Sequence, residues 1–320
     1  MAGIKIIWGG ASIIDKASYP TLESISKILD ILHAKGIKNI DTAKRYSDSE
    51  ELLGKLHADS RFKIDSKFPA GLGAEPSTPE SLVTSLNESL ALLQTDQLDI
   101  YYMHAPERRN SMEDLLASVD SAYQAGKFKR FGLSNYLAEE VEEVVRICRE
   151  KNYVVPSVYQ GNYSAVARRT EKEIFPTLRK HNMSFYAYSP IAGGFLTKDV
   201  ATFISGAQGR WDPNTPIGGV YNALFNKPRM LEGLEQWEKI SKESGIPKAE
   251  LAYRWVAHNS VLKGEFGDAV IVGSRNAEQL NQTLAALTEG PLSADIAERI
   301  EQVWKIVEAD SPLDTFNGAS

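Results

Sequence analysis

The chain alternates short, apolar, β-rich runs with amphipathic helical patterns from one end to the other. This alternation is typical of repeated βα units, in which crossover helices join parallel strands. A chain of 320 residues, 42% of them hydrophobic, can bury a large core without disulfide or metal support. Eight strands are predicted, at residues 4–8, 37–41, 62–67, 98–104, 128–133, 155–160, 184–188 and 269–272.

Eight parallel strands with crossover helices close most economically into a (β/α)8 barrel, the TIM barrel, whose reactive groups lie on the loops at the C-terminal ends of the strands. An open doubly wound sheet is the competing α/β architecture. It requires a Gly-x-Gly-x-x-Gly turn after an early strand, and the sequence contains none. We therefore predict a TIM barrel formed by a single domain over residues 1–320.

Two segments after the seventh strand interrupt the alternation. Residues 197–228 are rich in Gly and Pro and carry several aromatic residues. Because loops of this length are usually lids or binding loops, we expect this segment to cover the site. A last helix is expected over residues 293–309, packed across the barrel. The tail, residues 311–320, is expected to be loosely held, with Phe316 within reach of the pocket.

Two helix starts are readable from the sequence. Thr78 followed by Pro79 is typical of an N-cap and the first helical residue. Ser47 and Glu50 have the spacing of a capping box directly after Tyr46, which would fix the turn that presents the tyrosine. The buried stripe of the helix after Thr78 is predicted to consist of Leu82, Leu86, Leu90 and Leu93.

Composition excludes several classes of partner. The 36 basic and 42 acidic residues give a net charge of −6, and no basic block suggests a nucleic-acid or membrane partner. No apolar run approaches the ~20 residues of a membrane span, and the N-terminal run is too short for a signal peptide. The single cysteine, Cys148, excludes an internal disulfide, and the five histidines lack a paired metal-ligand spacing. We expect a cytoplasmic protein without a metal centre.

Four residues with complementary chemistry stand at or just beyond the ends of predicted strands two, three and four. A tyrosine phenol has an ordinary pKa near ~10, so a cation beside Tyr46 is needed to favour its phenolate, and Lys67 can supply it. A lysine in a partly dry site needs an anion in turn, which Asp41 can provide. His104, as a neutral imidazole, is expected to donate to the same substrate oxygen. The four residues predict a site that protonates a developing alkoxide.

The motif Asp41-Thr-Ala-x-x-Tyr46, followed by a strand-end lysine and a strand-end histidine, resembles the aldo-keto reductase superfamily from about residue 4 to residue 310. The resemblance implies an NADP-dependent oxidoreductase that reduces an aldehyde or ketone, with Tyr46 as the general acid. Further motifs are most similar to the aflatoxin-aldehyde reductase branch: Tyr102-Met-His104-Ala-Pro106, Phe131-Gly-Leu-Ser134-Asn135-Tyr136, Val158-Tyr-Gln160-Gly-Asn162-Tyr163, Tyr186-Ala-Tyr188-Ser189-Pro190 and Glu289-Gly-Pro291-Leu292.

The resemblance also assigns residues to NADPH/NADP+. It implies that Ser134, Asn135 and Gln160 hydrogen-bond the nicotinamide carboxamide and that Tyr188 stacks on the ring. The backbone N–H groups of a loop that contains glycine, which allows close approach, would wrap the pyrophosphate. This loop comprises Ser189, Ile191, Gly193 and Gly194.

The segment that begins at Gly273 resembles the adenosine-phosphate site of the superfamily. Arg275 is expected to pair with the 2′-phosphate through its planar fork, and Ser274 to add a hydroxyl, which favours NADPH over NADH. The resemblance places Gln279 and Gln282 at the adenine.

The substrate pocket is expected to combine residues after strand one with aromatic residues of segment 197–228. Arginines that favour carboxylated substrates in the branch are replaced here by Asn222 and Leu224. A neutral aromatic or aliphatic carbonyl compound is therefore expected, and a homodimer is left open because dimers occur in the branch. The lining residues are predicted to be Trp8, Ala11, Arg210, Trp211, Tyr221 and Phe225.

Two other functions are compatible with the same barrel. A regulatory subunit, similar to the β-subunits of voltage-gated potassium channels, would hold the cofactor with little turnover. A phosphosugar isomerase or lyase would use a strand-end lysine as a Schiff base. Asp41 beside Lys67 argues against the lyase, because an ion-paired lysine stays protonated and is a poor nucleophile.

Overall fold

The computed structural model describes residues 3–14, 17–205 and 211–317. Within these residues, eight parallel strands close into a barrel in the order in which they follow along the chain. The predicted TIM barrel is confirmed, and all eight strands occur within a few residues of their predicted places. The strands are β1 (Lys5–Gly9), β2 (Asn39–Asp41), β3 (Lys63–Phe68), β4 (Leu98–Met103), β5 (Phe128–Ser134), β6 (Val158–Asn162), β7 (Ser184–Tyr188) and β8 (Ala269–Val272).

Helices surround the barrel and alternate with the strands in its first half, as the sequence predicts. A short 3-10 helix, Gly10–Ile14, follows β1 directly. The α-helices of the described residues are α1 (Leu22–Ala34), α2 (Ser49–Lys55), α3 (Pro79–Leu93), α4 (Met112–Gln124), α5 (Ala138–Lys151), α6 (Thr170–Glu173), α7 (Phe175–Lys180), α8 (Val200–Ile204), α9 (Pro216–Phe225), α10 (Pro228–Ser244), α11 (Lys248–Arg254), α12 (Ala277–Thr288) and α13 (Ala294–Val307).

The apolar side chains form two layers, because successive residues of a strand point to opposite faces. The larger layer lies between the strands and the helices and includes the predicted leucine stripe of α3. The smaller layer fills the barrel itself, so the barrel is a packed core and not a pore. Its buried members are Ile7, Ile100, Tyr102, Val158, Tyr186, Ala269 and Ile271.

One predicted helix start is confirmed and the other is wrong. Thr78 caps α3 by accepting from the backbone N–H of Ser81, with Pro79 as the first helical residue. The box between Ser47 and Glu50 does not form. Ser47 adopts a left-handed backbone with φ 46°, and Glu50 instead accepts a hydrogen bond from Ser66 on β3 at 2.5 Å. Glu50 thus joins α2 to the barrel wall and does not cap the helix.

Segment 197–228 is not a plain loop, because it contains α8 and α9. Its aromatic side chains bury one another, and this packing gives the segment the apolar core that helices need. Trp211 lies centrally, with ring centroids 5.0 Å from Tyr221 and 5.2 Å from Phe203. The aromatic cluster comprises Phe195, Phe203, Trp211, Tyr221 and Phe225.

The C-terminal region is held more firmly than the sequence predicts. Helix α13 packs against α10, where the missing side chain of Gly233 makes room for Val307, and so lies on the outer wall of the barrel. The expectation of a loosely held tail is wrong for its first residues, since Ser311, Leu313 and Asp314 are all buried. None of the helices in the described ranges is both long and apolar enough to cross a membrane.

Candidate active site

The barrel register brings the four predicted catalytic residues together at the C-terminal end of the strands. Asp41 is the last residue of β2, Lys67 lies near the end of β3, and His104 directly follows β4. Strand β3 pairs with both neighbours, so these residues stand on three adjacent strands. Tyr46 lies in the turn between β2 and α2. The chain therefore forms one cluster from residues that are up to 63 positions apart in the sequence.

A buried ion pair forms the base of this cluster. The Nζ atom of Lys67 lies 2.7 and 2.6 Å from the two carboxylate oxygens of Asp41 and 2.7 Å from the carbonyl oxygen of Thr42. Gln160 on β6 donates to the same carboxylate at 2.8 Å. Burial is the largest single influence and disfavours the ammonium, but Asp41, Tyr46 and Asp65 together outweigh it, so the pKa of Lys67 is raised. Lys67 is a fixed positive charge inside the barrel.

Tyr46 lies over this charge and beside the histidine. Its ring centroid is 5.1 Å from Lys67 Nζ and 5.8 Å from the His104 ring, which it meets edge to face. Burial is the largest influence on the Tyr46 phenol, and it raises the pKa although Lys67 acts to lower it. Lys67 thus offsets part of the desolvation and does not make the phenol more acidic than usual. The hydroxyl is protonated at neutral pH, as a proton donor must be.

His104 completes the cluster as a neutral imidazole. Burial, followed by the charges of Lys67 and Arg45, lowers its pKa well below the ordinary value. Its Nδ1 atom is buried without a hydrogen-bond partner among the described residues. A neutral imidazole carries one N–H group, which can donate to a substrate oxygen beside Tyr46.

The residues expected around the nicotinamide line the adjoining strand ends. Ser134, Asn135 and Gln160 are all buried: Ser134 ends β5, Asn135 follows it, and Gln160 is the middle residue of β6. The side-chain amide of Asn135 donates to the carbonyl oxygen of His104 at 2.9 Å and accepts from the hydroxyl of Tyr188 at 2.8 Å. Asn135 and Gln160 therefore adjoin the catalytic cluster through direct hydrogen bonds, and Tyr188 is joined to it through Asn135.

The loop after β7 forms a cradle of left-handed backbone. Ser189, Ala192, Gly193 and Gly194 all have positive φ. Turns of this kind are typical of anion sites, but the N–H groups of Ala192 and Gly194 donate within the loop, to the carbonyl oxygens of Ser189 and Ile191. The expectation that the Gly194 N–H binds the pyrophosphate therefore does not hold in this structure. At Gly193 a Cβ atom would lie 2.3 Å from the ring of Tyr221, so only glycine fits there. The indole of Trp211 donates to the carbonyl oxygen of Gly193 at 2.9 Å and fixes the cradle to the aromatic cluster.

Lys198, just beyond the cradle, lies near a second cation, Arg275. Burial, followed by the charge of Arg275, lowers the pKa of Lys198. No carboxylate of the described residues forms an ion pair with either cation. The charge of Asp199 acts on Lys198 in the opposite direction but is the smallest of the three influences, and two neighbouring cations are suited to a phosphate. Lys198 was missed in the sequence analysis, although its position four residues beyond the Gly193-Gly194 pair is a usable signal.

The other residues assigned to the adenosine end are engaged within the protein. Ser274 is buried, and its hydroxyl is contacted by the indole of Trp8 at 3.4 Å and the hydroxyl of Tyr19 at 3.1 Å. The side chain of Gln279 accepts from the backbone N–H of Arg275 at 2.7 Å, and Gln282 donates to Glu278 at 3.4 Å. At Gly273, by contrast, a Cβ atom would meet no other atom within 4 Å.

The residues assigned to the substrate pocket fall into three groups. Trp8 is fully buried in the main core, so its side chain has no exposed face toward a pocket. Ala11 is partly exposed in the helix Gly10–Ile14. Tyr221 lies close enough to Tyr46 to influence its pKa, whereas Arg210 lies outside the described residues. The rings of Trp211 and Phe225 pack against the ring of Tyr221 within the aromatic cluster.

Asp65 is an unpredicted acid beneath the site. It lies two residues before Lys67 on the same face of β3, pairs in register with Asp41, and is fully buried. Neither of its carboxyl oxygens has a hydrogen-bond partner among the described residues. Burial, with the charges of Asp41 and Asp99, raises its pKa well above the ordinary value. The two-residue strand period could have revealed this position from the sequence.

Comparisons with known proteins agree with this geometry. The model of the family described as the aldo/keto reductase family matches residues 5–305. Oxidoreductase sirO of Leptosphaeria maculans is 35% identical over 91% of this chain and 89% of its own length. Aflatoxin B1 aldehyde reductase member 4 of Homo sapiens is 39% identical over 87% of this chain and 88% of its own length. The resemblance to the aflatoxin-aldehyde reductase branch is confirmed.

The state of Asp65 predicts a pH-dependent difference in stability. Its pKa is higher in the folded than in the unfolded protein, so its contribution to stability is complete below about pH 4 and is lost as the pH rises toward the folded value. Asp65→Asn replaces the titrating carboxyl group with a neutral amide and therefore removes this pH-dependent loss of stability. The free energy of unfolding of the variant, measured in urea, should therefore increase relative to wild type as the pH is raised above about 4.

The exposed Asp59, changed to Asn, is the matched control for removing a carboxyl group. A difference between Asp65→Asn and wild type that stays constant from pH 4 to 8 would contradict the raised pKa.

Proposed function

Because this chain belongs to the aldo/keto reductase family, we propose that it is an NADPH-dependent reductase of aldehydes or ketones in which Tyr46 is the general acid. The observation that carries this proposal is the buried ion pair of Lys67 and Asp41 directly beneath the Tyr46 ring. A cytoplasmic location and a single domain stay predictions from the sequence.

The chemistry assigned to the chain is protonation of a carbonyl oxygen. When bound, a reduced nicotinamide supplies the hydride that reaches the carbonyl carbon. Tyr46 donates its proton to the carbonyl oxygen as negative charge develops there, and His104 donates a hydrogen bond to the same oxygen. Lys67 then stabilises the phenolate left on Tyr46, because its ammonium is held in place by Asp41. Because the pKa of the phenol is raised, the Tyr46 hydroxyl is protonated at neutral pH and can donate its proton.

Two features of the chain fit NADPH. The left-handed residues of the cradle suit a pyrophosphate, and Lys198 with Arg275 suits an additional phosphate group. The burial of Ser134, Asn135 and Gln160 close to the catalytic cluster supports their proposed role at the nicotinamide amide. The name of the relative aflatoxin B1 aldehyde reductase member 4 supports aldehyde reduction. The hydroxyl of Ser274 is turned toward Trp8 and Tyr19, so the assignment of the 2′-phosphate rests on the two cations.

A neutral carbonyl substrate is supported by the side chains that approach Tyr46 from segment 197–228. Tyr221 presents an aromatic surface there. Asn222, which stands in a position where the branch carries arginine, donates to the carbonyl oxygens of Trp211 and Gly218. Its amide is thus used within the segment and adds no charge for a carboxylate.

Tyr46→Phe tests the general acid. The hydroxyl is lost while the ring and the ion pair remain, so the dissociation constant for NADPH should be unchanged and kcat should fall by about 10²–10⁴. The assay is steady-state NADPH oxidation with aldehydes, dicarbonyls and aryl ketones. Tyr153→Phe, at the opposite end of the barrel, is the control. A Phe variant that turns over at the wild-type rate would remove Tyr46 from this role, and tight NADPH binding without turnover by wild type would favour the regulatory subunit.

Arg275→Ala and Lys198→Ala test the choice of cofactor. Each variant loses one cation that can pair with the extra phosphate of NADPH, so its affinity for NADPH should fall roughly 10- to 100-fold while its affinity for NADH changes little. Dissociation constants for both cofactors can be measured by quenching of protein fluorescence, with Arg146→Ala on α5 as the control. Equal losses for NADPH and NADH would show that neither cation recognises the 2′-phosphate.

A further inference from the structure

The C-terminal tail reaches the predicted nicotinamide site through one side chain. Asn317 donates from its amide nitrogen to the carbonyl oxygen of Asn135 at 2.9 Å, although the two residues are 182 positions apart. The backbone of Asn135 is left-handed, with φ 62°, which turns this carbonyl away from the strand ladder. A buried carbonyl in such a turn requires a donor from elsewhere, and the tail provides it.

Asn135 in turn holds two parts of the active site. Its side-chain amide donates to the carbonyl oxygen of His104 at 2.9 Å and accepts from the hydroxyl of Tyr188 at 2.8 Å. Both neighbours have roles in the proposed function, one toward the substrate oxygen and one toward the nicotinamide face. A change in the position of the Asn135 backbone would therefore be transmitted to both.

The side chain of Asn317 is oriented by two charged residues. Arg108 donates to its amide oxygen at 2.7 Å, and its amide nitrogen also donates to Asp314 at 2.8 Å. With the oxygen accepting from a guanidinium and the nitrogen facing a carboxylate, the amide has one favourable orientation. That orientation directs its donor to Asn135.

Arg108 itself is fixed on the wall of the barrel. Its guanidinium binds Glu140 on α5 with two hydrogen bonds, at 2.6 and 3.1 Å. Glu140 also accepts from the backbone N–H of Leu137, just before α5, at 2.7 Å. The ring of Phe316 lies against the guanidinium, with its centroid 5.4 Å away. Thus Phe316, expected near the pocket, instead helps to anchor the tail.

We propose that Asn317 is a positioning residue for the nicotinamide end of the cofactor, which it serves by holding Asn135 from the C-terminal tail. This inference rests on the proposed function. Among the described residues, the side chain of Asn317 hydrogen-bonds Arg108, Asn135 and Asp314 and neither of the cations Lys198 and Arg275, so we assign its contribution to the nicotinamide half. The two halves of NADPH can therefore be separated experimentally.

The experiment compares NADPH with 2′-phospho-ADP-ribose, which lacks the nicotinamide, on the full chain. Asn317→Ala should weaken NADPH about tenfold, the effect of about one lost hydrogen bond, and leave the fragment unchanged. Asn317→Asp keeps the acceptor for Arg108 and loses the donor to Asn135, so it should match the alanine variant. With a saturating aldehyde, both variants should also raise the KM for NADPH.

Lys172→Ala is the matched control, because it breaks the ion pair with Glu308 just after α13 without touching Asn135. Equal weakening of NADPH and the fragment, or no weakening of either, would overturn the role of Asn317. Wild-type protein that binds neither ligand would overturn the proposed function and this inference together, so the two failures are distinguishable.

Discussion

The ion pair between Lys67 and Asp41 is the interaction on which the site depends. Both side chains are buried, and the ammonium is surrounded by the Asp41 carboxylate and the Thr42 carbonyl oxygen within 2.7 Å. Removing one partner of such a pair costs about 3–5 kcal/mol, because the remaining charge is left unpaired in a poorly solvated place. The chain keeps this pair at the end of the barrel where Tyr46 lies above it.

The barrel makes the pair possible by placing residues in register on adjacent strands. Asp41 and Asp65 are paired across β2 and β3, and Lys67 lies on the same face as Asp65. The two acids differ in state because Asp41 has the ammonium and Gln160 as partners, whereas Asp65 has none among the described residues. A negative charge on Asp65 would compete with the Asp41 carboxylate for Lys67. Because its raised pKa favours the neutral acid, Asp65 does not add a second negative charge beside Lys67.

Much of the architecture was readable from the sequence, and the failures have physical causes. The eight strands follow from local patterns that require no knowledge of distant contacts. The four predicted catalytic residues followed from their places at the strand ends and from the resemblance to the superfamily. The Gly and Pro content of segment 197–228 predicts a loop, whereas α8 and α9 are stabilised by aromatic packing around Trp211, which local composition does not show. The tail is better ordered than the sequence predicts because it is held by distant partners such as Asn135, which is 182 residues from Asn317.

The most direct test of the account is a double-mutant cycle between Lys67 and Tyr46, measured as kcat for aldehyde reduction. If Lys67 acts through the phenol, Lys67→Met should lower kcat strongly in the wild-type background but only slightly in the Tyr46→Phe background. The coupling energy between the two changes should then be close to the full effect of Lys67→Met on wild type. If the two losses simply add, Lys67 stabilises something other than the Tyr46 phenolate, and the central claim is contradicted.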